Sequence, residues 1–491
     1  MSGAQFIQKS LALNISKKAD FVGWYNQVVV KSEMIESYNV PGLYTIRPWA
    51  FSIWEFIQDY IGGKFLEMNV KNVSLPLFVP FMSKLGERYN DLAPHTTFLT
   101  YAGGNPIEYS VAIRPTSESL VYSDFGRWCR SWRDLPFKIN HWCNAVRWHK
   151  NPIPFILSRE FLLQEGYNGF INREEATNEV YKILDIYTSI YCDLFAIPVL
   201  KGRKSEKGKL FGSDFSTSLH IVVPTNGIGI QGASSTHLGQ YFSKKFDLYF
   251  DNPKKPGEKE YIWLTRYTLS IRSIGALVMV HGDDFGLILP PKVAPIQVVI
   301  IANGILNSNK NITEIGDKLR KFGLRVEVDN REELSPSVPI ILEINPEYLK
   351  RRQILSIIRF NNQRTFVGSD NLAVELKYLL EKIHCDMLKT KTDELNKIVE
   401  ICLEWKHFLP SLEKQSVLLS PFCGRVKCEQ WIETNSQLNN NKIKLLNIPF
   451  EQPNDNFDKK CINPNCKKKA EFFALFEINE RRNDNNLSFD K

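Results

Sequence analysis

A proline-rich segment, LPPKVAP (residues 289–295), separates two parts of the chain that differ in hydrophobic pattern. Proline neither continues a helix nor donates to a sheet, so the segment predicts a domain boundary. Before it, strand-like runs and helices alternate in an order that predicts a largely antiparallel α+β sheet. After it, a short buried strand, a helix and further strands over about 90 residues predict a small α/β domain with a mostly parallel sheet.

Size and composition narrow the class of protein. A chain of 491 residues exceeds one hydrophobic core, so roughly two to four domains are expected. The formal net charge of +8 permits a polyanionic partner without requiring one. No run of about 18 apolar residues is found, so no membrane span is expected. The N-terminus has no secretory pattern, and nine cysteines in a chain of this length argue against a disulfide framework and fit a reducing compartment, so the cytoplasm is expected.

The clearest helix pattern lies in NREEATNEVYKILDIYTSIYCDLFAIP, residues 172–198. Asn172 can cap its start, acids fill the first turn, apolar residues recur with the 3.6-residue period, and Pro198 follows its end. Three other runs are interpreted as strands because they are apolar or alternating. They are SLHIVVP (218–224), KFDLYF (245–250) and ALVMVHG (276–282).

The stretch NAVRWHKNPIPFILSREFLLQEG (144–166) predicts an antiparallel hairpin that presents Arg147 and closes on Glu165. A second arginine, Arg272, also lies in an apolar run that reads as a buried strand. A buried guanidinium without an anionic partner is unfavourable. A nucleotide triphosphate would serve, since the guanidinium fork matches phosphate oxygens. Structural salt bridges to Glu160 or Asp283 are an equal alternative from composition alone.

Three shorter stretches carry groups that suit ligand binding. In KNVSLPLFVP (71–80), Pro76 inside a strand-like run predicts a sheet edge or an interface. In AIRPTSES (112–119), a stiff turn presents Thr116 and Glu118, which could hold an ammonium group or could form a plain exposed turn. GIQGASSTHLGQ (229–240) combines Gln231 with small residues that allow close approach of a ligand.

Two close cysteine pairs lie in the polar region beyond residue 386. Each pair has four intervening residues, a spacing found in tetrahedral zinc sites. The pairs therefore predict a structural zinc site formed by Cys423, Cys428, Cys461 and Cys466. The remaining five cysteines are scattered and are interpreted as small core residues.

Eight stretches, taken in order along the chain, match the pattern of a known family. They are WYNQVVVKSEMIESYNVPGLYTIRPWAFSIWEFI, RPTSES, NAVRW, SREFLLQEG, KGRKSEKGK, IQGASSTHLGQYFSKKF, MVHGDDFGLILPPKVAPIQVVII and PFCGRVKCEQW. Together they resemble prolyl-tRNA synthetases of the eukaryotic and archaeal type. The resemblance covers about residues 18–476, and no single short motif carries it.

The resemblance implies a fold and a domain order. Residues 1–288 would form a class II catalytic domain, an antiparallel sheet with flanking helices. Residues 289–385 would form an α/β anticodon-binding domain, and residues 386–476 a C-terminal α+β domain with the cysteine cluster, resembling a zinc-binding domain. Residues 477–491 are expected to be a disordered tail. The strand containing Pro76 would lie at a homodimer interface.

The resemblance also implies an activity: ATP-dependent ligation of L-proline to tRNA(Pro) through a prolyl-adenylate. Arg147 and Arg272 would be the catalytic residues, stabilising charge on the triphosphate. Proline would be bound by Thr116, Glu118, Arg147 and Thr236. ATP and Mg²⁺ would contact Arg147, Gln231, Ser234, Ser270 and Arg272.

Several positions depart from the family pattern. Leu157 stands where the family has an arginine that meets the γ-phosphate, and His149 follows Trp148 where a glutamate is usual. Lys150 or Arg159 could substitute for the missing arginine. These departures motivate an alternative: a weakened or inactive synthetase-like chain that binds tRNA or another protein. A synthetase for a different amino acid fits less well, because the Thr-Ser-Glu loop at 116–118 is retained.

Overall fold

The largest sheet among the described residues has eight strands, which are antiparallel except at one edge. The computed structural model describes residues 13–80, 92–253, 255, 257–302, 309–329, 337–414, 417–435, 443–453 and 459–478. In spatial order the eight strands are Ile448–Pro449, Leu200–Arg203, Phe215–Val222, Gly229–Gly239, Trp263–Ser270, Glu160–Phe170, Phe137–Val146 and Lys71–Asn72. The antiparallel α+β architecture predicted for this part of the chain is therefore confirmed.

The predicted hairpin is formed by the strands Phe137–Val146 and Glu160–Phe170, which pair in register from Phe137 opposite Gly169 to Val146 opposite Glu160. Helices pack around this sheet and bury its apolar residues in two core clusters. They are Phe21–Lys31, Pro48–Glu67, Glu118–Trp128, Arg173–Ser189 with the π-helical turn Ile190–Leu194, Tyr241–Lys245 and Arg272–His281.

The helix Arg173–Ser189 forms as its sequence predicts. The Asn172 side chain accepts a hydrogen bond from the Glu175 N–H at 2.9 Å, which satisfies one of the free donors at the helix start. The residues that recur every three or four positions are buried against the sheet: Ala176, Val180, Ile183, Leu184 and Tyr187.

Two of the three predicted strands need correction. The run 276–282 lies in the helix Arg272–His281, which is buried from Ser273 to His281. A short, entirely apolar run cannot distinguish a buried strand from a helix that is buried all round. The run 245–250 contains the end of the helix Tyr241–Lys245 and the start of the short strand Tyr249–Asp251, which pairs with Lys259–Tyr261. The run 218–224 lies largely in the strand Phe215–Val222, as predicted.

The segment 71–80 is not one strand. It contains Lys71–Asn72, at the edge of the large sheet, and Phe78–Pro80, in a three-stranded sheet with Asn105–Ile113 and Thr97–Ala102. Pro76 lies between them, and its carbonyl accepts a hydrogen bond from Arg114 Nη1 at 2.7 Å. Another small sheet pairs Ile35–Ser37 with Tyr44–Ile46, and two 3₁₀ turns are Ala93–His95 and Trp132–Asp134.

After the proline-rich segment the chain forms a five-stranded sheet. Its order is Val326–Asp329, Val298–Ala302, Ile340–Ile344, Gln353–Ile358 and Arg364–Gly368, with the helices Asn309–Lys321, Pro346–Lys350 and Leu372–Ile398. The first two pairings are parallel and the last two antiparallel, so the sheet is mixed rather than mostly parallel. The buried Arg359 joins this unit to the first part through both terminal nitrogens, which contact the Asp283 carboxylate at 2.9 and 2.6 Å.

The C-terminal part forms a four-stranded sheet in the order Val399–Ile401, Val417–Phe422, Phe472–Ile478 and Ile443–Leu445, with the helices Trp405–Glu413 and Val426–Asn435. The expected division between 385 and 386 falls inside the helix Leu372–Ile398. The expected disordered tail begins within the strand Phe472–Ile478, and residues 479–491 lie outside the described residues.

Candidate active site

A cavity of about 440 Å³ opens between the hairpin, the strand Gly229–Gly239, the end of the strand Trp263–Ser270 and the loop 204–211. The structure brings six of the predicted site residues together in its wall. They are Arg147, Gln231, Ser234, Thr236, Ser270 and Arg272. Residues that are far apart in sequence therefore converge on one volume large enough for a small-molecule ligand.

Arg147 and Arg272 are held at the cavity in the same way. Arg147 Nε donates to the Pro115 carbonyl at 3.2 Å, and Arg272 Nε donates to the Ile156 carbonyl at 3.1 Å. Arg147 follows the first hairpin strand and also lies over the Phe161 ring, 5.4 Å from its centroid. Arg272 begins a helix and is not in a strand as predicted. An arginine fixed through Nε loses less side-chain freedom when its terminal nitrogens bind an anion.

The two carboxylates named as alternative partners for these arginines have other contacts. Asp283 forms the ion pair with Arg359 described above, at 2.6 Å. Glu160 accepts a hydrogen bond from the Asn144 side-chain amide at 2.7 Å.

Thr116 and Glu118 do not line the cavity; they lie behind its wall in a cluster with Glu165 and Arg266. Arg266 forms ion pairs with Glu118 at 2.9 Å and with Glu165 at 2.8 Å. The Thr116 hydroxyl donates to Glu165 at 2.7 Å, and the Ser117 N–H donates to the same carboxylate at 2.9 Å. We call Glu118, Glu165 and Arg266 the buried ion cluster. Glu118, one of the two residues that the sequence predicts could hold an ammonium group, contacts the Arg266 guanidinium in this structure.

Electrostatics keep Glu165 and Arg266 charged. Burial by itself would raise the pKa of Glu165, but Arg266 and the two hydrogen bonds outweigh burial and lower the pKa to about 2. The same carboxylates raise the pKa of Arg266 well above its ordinary value, against the effect of burial. Two carboxylates share one guanidinium, so the cluster carries a net charge of −1 beside the cavity. Sequence reasoning named Glu165 only as the end of the hairpin and missed Arg266 altogether.

The cavity wall itself is basic. Among the described residues its lining has no carboxylate and six basic side chains: Arg147, Lys204, Lys207, Lys209, Arg266 and Arg272. Two carboxylates that do not line the cavity balance part of this charge: Glu433 pairs with Lys207, and Glu206 pairs with Lys209. Lys204 Nζ donates to Gln231 Oε1 at 2.6 Å, on the wall itself. An anionic ligand is the natural partner for such a surface.

The three lysines were missed as site residues, although KGRKSEKGK is an unusually basic run. They also bear on the position of Leu157, which is buried at 7% exposure and lines the cavity. Neither Lys150 nor Arg159 is among the described residues of the lining. Arg159 stacks on Trp148, 4.3 Å from the ring centroid, and donates to the His149 carbonyl at 3.1 Å. Leu157 therefore shares the cavity wall with the lysines of the loop 204–209 and lies next to Ile156, whose carbonyl accepts the hydrogen bond from Arg272.

His149 occupies a buried position in the cavity wall, with 9% exposure. Its ring packs against His95 with a centroid separation of 5.1 Å. Burial, followed by the charges of His95, Arg147, Arg272 and Arg159, lowers its pKa to about 4. At neutral pH it is an uncharged imidazole that can accept or donate a hydrogen bond.

The four predicted cysteines come together in the C-terminal part. The sulfur atoms of Cys423, Cys428, Cys461 and Cys466 all lie within 4.8 Å of one another. The Cys423 and Cys466 sulfurs are 3.8 Å apart, which matches the separation of about 3.8 Å for thiolates on a tetrahedral zinc with bonds of roughly 2.3 Å. Of the other cysteines, Cys385 is exposed and is not a core residue.

Comparison with known proteins gives the same assignment twice over. Residues 103–281 match the family model described as the tRNA synthetase class II core domain (G, H, P, S and T). Residues 405–476 match the model described as prolyl-tRNA synthetase, C-terminal. The fold and these matches define the chain as a class II aminoacyl-tRNA synthetase.

Individual relatives narrow the class. The chain is 37% identical over 464 residues to the cytoplasmic proline–tRNA ligase of Arabidopsis thaliana, covering 91% of this chain and 87% of the relative. It is 34% identical over 499 residues to the proline–tRNA ligase of Encephalitozoon cuniculi, covering 96% and 99%. It also matches the bifunctional glutamate/proline–tRNA ligase of Drosophila melanogaster, 37% identical over 506 residues, but spans only 30% of that protein.

A solved structure is similar over nearly its whole length. The prolyl-tRNA synthetase of Cryptosporidium parvum, complexed with halofuginone and AMPPNP, has a TM-score of 0.90 and 36% sequence identity, covering 95% of this chain and 99% of that one. The chain belongs to the prolyl-tRNA synthetase family. No helix among its described residues has the length and hydropathy to cross a membrane.

Proposed function

We propose that this chain ligates L-proline to tRNA(Pro) with ATP, through a prolyl-adenylate. The observation that carries the proposal is the basic cavity, in which Arg147 and Arg272 converge from a hairpin and a helix. Family membership supports an active ligase over the weakened or inactive alternative, because the relatives and the solved structure above bear the names of proline–tRNA ligases and a prolyl-tRNA synthetase.

The first reaction joins two anions, and the cavity supplies the charge that this requires. A carboxylate oxygen of proline attacks the α-phosphorus of ATP, a new oxygen–phosphorus bond forms, and pyrophosphate leaves with the electrons of the broken bond. Arg147 would contact the proline carboxylate and α-phosphate, and Arg272 the triphosphate. Because Nε of each guanidinium is already bonded to a backbone carbonyl, little reorganisation is needed as charge develops. A hydroxyl at the 3′ end of the tRNA then attacks the prolyl carbonyl carbon, an ester bond forms as the hydroxyl loses its proton, and AMP leaves with the electrons of the broken carbon–oxygen bond.

Recognition of the proline ammonium is proposed to depend on the buried ion cluster. Its net charge of −1 lies next to the cavity, and Thr116 is bonded directly to Glu165. A bound secondary ammonium would balance that charge, with Thr116 and Glu118 supporting it and Thr236 lining the same cavity. The apolar side chains Leu163 and Leu210, which line the cavity, would contact the proline ring.

ATP would lie along Arg147, Gln231, Ser234, Ser270 and Arg272, all of which line the cavity. Mg²⁺ fits the protein groups less well, because the lining has only neutral oxygens among its described residues. Magnesium sites usually include one or two carboxylates together with phosphates. We therefore propose that Mg²⁺ is held mainly by the phosphate oxygens of ATP.

The cysteine cluster is proposed to hold a structural Zn²⁺ through Cys423, Cys428, Cys461 and Cys466. Elemental analysis of purified protein should give one zinc per chain, and Cys461→Ser should lower that value while exposed Cys385→Ser does not. Less than one zinc per wild-type chain would contradict the proposal.

The remaining assignments concern assembly and location. We propose a catalytic domain over 1–288, an anticodon-binding domain over 289–385 and a C-terminal domain over 386–476. Apolar side chains that are 41% to 62% exposed near Pro76 suit a homodimer interface: Leu77, Phe78, Phe98 and Tyr101. The Arabidopsis relative is named cytoplasmic, and we propose the same location for this chain.

Amino-acid-dependent ATP–pyrophosphate exchange tests the central proposal. Purified protein should transfer label from pyrophosphate to ATP in the presence of proline. The rate should be well above the rate measured with alanine, threonine or cysteine. Exchange with none of the four would contradict the proposal and favour a chain that only binds tRNA or protein. Exchange that is faster with another amino acid would retain the enzyme class and change the substrate.

A further inference from the structure

The loop 204–209, which supplies three lysines to the cavity wall, is attached to the C-terminal part of the chain. Ser205 is buried at 3% exposure, and its hydroxyl donates to Glu429 at 3.0 Å. Lys207 forms an ion pair with Glu433. Glu429 and Glu433 lie one turn apart on the helix Val426–Asn435, more than two hundred residues away in sequence.

Ser205 also organises the loop from within. Its hydroxyl oxygen accepts a hydrogen bond from the Gly208 N–H at 3.0 Å, and its carbonyl accepts one from the Lys209 N–H at 2.9 Å. The hydroxyl that donates to Glu429 is therefore the same group that closes the turn. Because Lys207 and Lys209 flank Gly208, the direction of both side chains depends on this turn.

The strand that leads into the loop has a second attachment to the C-terminal part. Leu200–Arg203 pairs with Ile448–Pro449, with Ile448 opposite Arg203 and Pro449 opposite Gly202. A Cβ atom on residue 202 would lie 2.3 Å from the Ile448 carbonyl oxygen, so this close approach requires glycine. Both the strand and the loop are thus held by chain that lies beyond residue 425.

We infer that Glu429, assisted by Glu433, is a positioning residue for the active site: it holds the loop 204–209 in the conformation that presents Lys204, Lys207 and Lys209 to the nucleotide. The inference deepens the proposed function and rests on it. Leu157, where the family has an arginine, lines the same cavity as these three lysines, and their loop is attached to the C-terminal helix. Cys428 directly precedes Glu429 in sequence. The cysteine cluster is therefore one residue away from the side chain that binds the loop through Ser205.

The test compares two substitutions at Glu429 in the full-length protein. Glu429→Gln keeps an oxygen that accepts the Ser205 hydrogen bond, whereas Glu429→Met keeps the length of the side chain and removes the acceptor. Glu413→Met, on an exposed site of the neighbouring helix Trp405–Glu413, is the matched control. Zinc content and thermal unfolding of each variant establish that the C-terminal part remains folded.

Hydrogen exchange of the loop amides, measured without substrates, is the first readout. The 204–210 amides should exchange faster in Glu429→Met, while Glu429→Gln and Glu413→Met should match the wild type. The KM for ATP, measured by ATP–pyrophosphate exchange, is the second readout. It should rise roughly 3- to 10-fold in Glu429→Met, with kcat changed less. The reason is that one or two long lysine side chains must then be ordered when ATP binds.

An unchanged rate of hydrogen exchange at the loop amides of Glu429→Met would overturn the inference. Faster hydrogen exchange with an unchanged KM for ATP would overturn it too. Equal effects of Glu429→Gln and Glu429→Met would also contradict it, because the acceptor oxygen would then be irrelevant. A wild-type chain without proline-dependent ATP–pyrophosphate exchange would instead contradict the proposed function. Hydrogen exchange of the loop amides alone would then decide whether Glu429 holds the loop.

Discussion

The basic cavity and the buried ion cluster are in contact, but they differ in how their charged groups are arranged. The cavity presents Arg147 and Arg272 to a space that a ligand can enter, with no carboxylate in its described lining. The cluster places Arg266 between two carboxylates, and all three side chains are at most 8% exposed. Breaking an ion pair that is buried within the protein destabilises the fold, whereas positive charge on a cavity wall can stabilise an anionic ligand during catalysis. Substitutions in the two regions should therefore differ in what they damage.

The largest effect on stability should come from Arg266→Met. The substitution leaves Glu118 and Glu165 buried together without a cation, and breaking a buried ion pair in this way costs about 3–5 kcal/mol. Urea unfolding measures the change, with exposed Arg364→Met as the control. A loss below about 1 kcal/mol would show that the cluster is not a unit of the fold.

Arg272→Gln should give the opposite result, a large loss of activity in a stable protein. Removing a donor that stabilises developing charge lowers kcat by about 10²–10³. Proline-dependent pyrophosphate exchange measures this loss, and the free energy of unfolding should stay within about 0.5 kcal/mol of the wild type. If stability fell as far as activity, the contrast between the two regions would disappear.

The pKa of Glu165 makes the contribution of the cluster depend on pH. Its pKa is lowered from 4.5 to about 2 on folding, so ionised Glu165 stabilises the folded state above pH 4.5 and this stability is lost as pH falls toward 2. The full contribution is of the order of 3 kcal/mol, and roughly half of it should be lost by pH 3.

Unfolding of the wild type and Glu165→Gln at pH 6 and at pH 3 checks the sign. The difference in unfolding free energy should shrink at the lower pH. Glu160→Gln, exposed on the same strand, should show a small and nearly constant difference. A Glu165→Gln difference that does not change with pH would contradict the assigned pKa.

The smallest effect is expected at His149, in the cavity wall. Because its pKa is about 4, it stays neutral from pH 6 to 8 and contributes no titration to activity there. His149→Asn should therefore lower kcat/KM by less than about tenfold and leave the shape of the pH profile unchanged. Profiles of wild type and variant that diverge near pH 6.5 would show that His149 titrates as an ordinary histidine.

The parts of the molecule that sequence predicted well depend on local spacing. Asn172 caps its helix because the capping group and its donor are three residues apart. The two cysteine pairs are also local, and folding needed only to bring one pair to the other. The hairpin that presents Arg147 was predicted because an apolar run lies on each side of a polar turn that contains proline, and Arg147 follows directly after its first strand.

The parts that sequence missed depend on distant contacts or on uniform burial. Arg266 belongs to the buried ion cluster because it forms ion pairs with Glu118, on a helix, and with Glu165, on a neighbouring strand. Both carboxylates are distant from it in sequence. Arg272 was assigned to a strand because an entirely buried helix has no polar face to reveal its period. The attachment of Ser205 to Glu429 spans 224 positions and leaves no pattern in either stretch.

Formation of prolyl-adenylate in a single turnover, without tRNA, tests most directly whether the cavity arginines carry the chemistry. Wild type and Arg364→Gln, an exposed change on the five-stranded sheet, should form prolyl-adenylate at the same rate. Arg272→Gln should form it about 10²–10³ times more slowly while keeping the wild-type unfolding curve. Equal rates in all three proteins, or no prolyl-adenylate in any of them, would contradict the account.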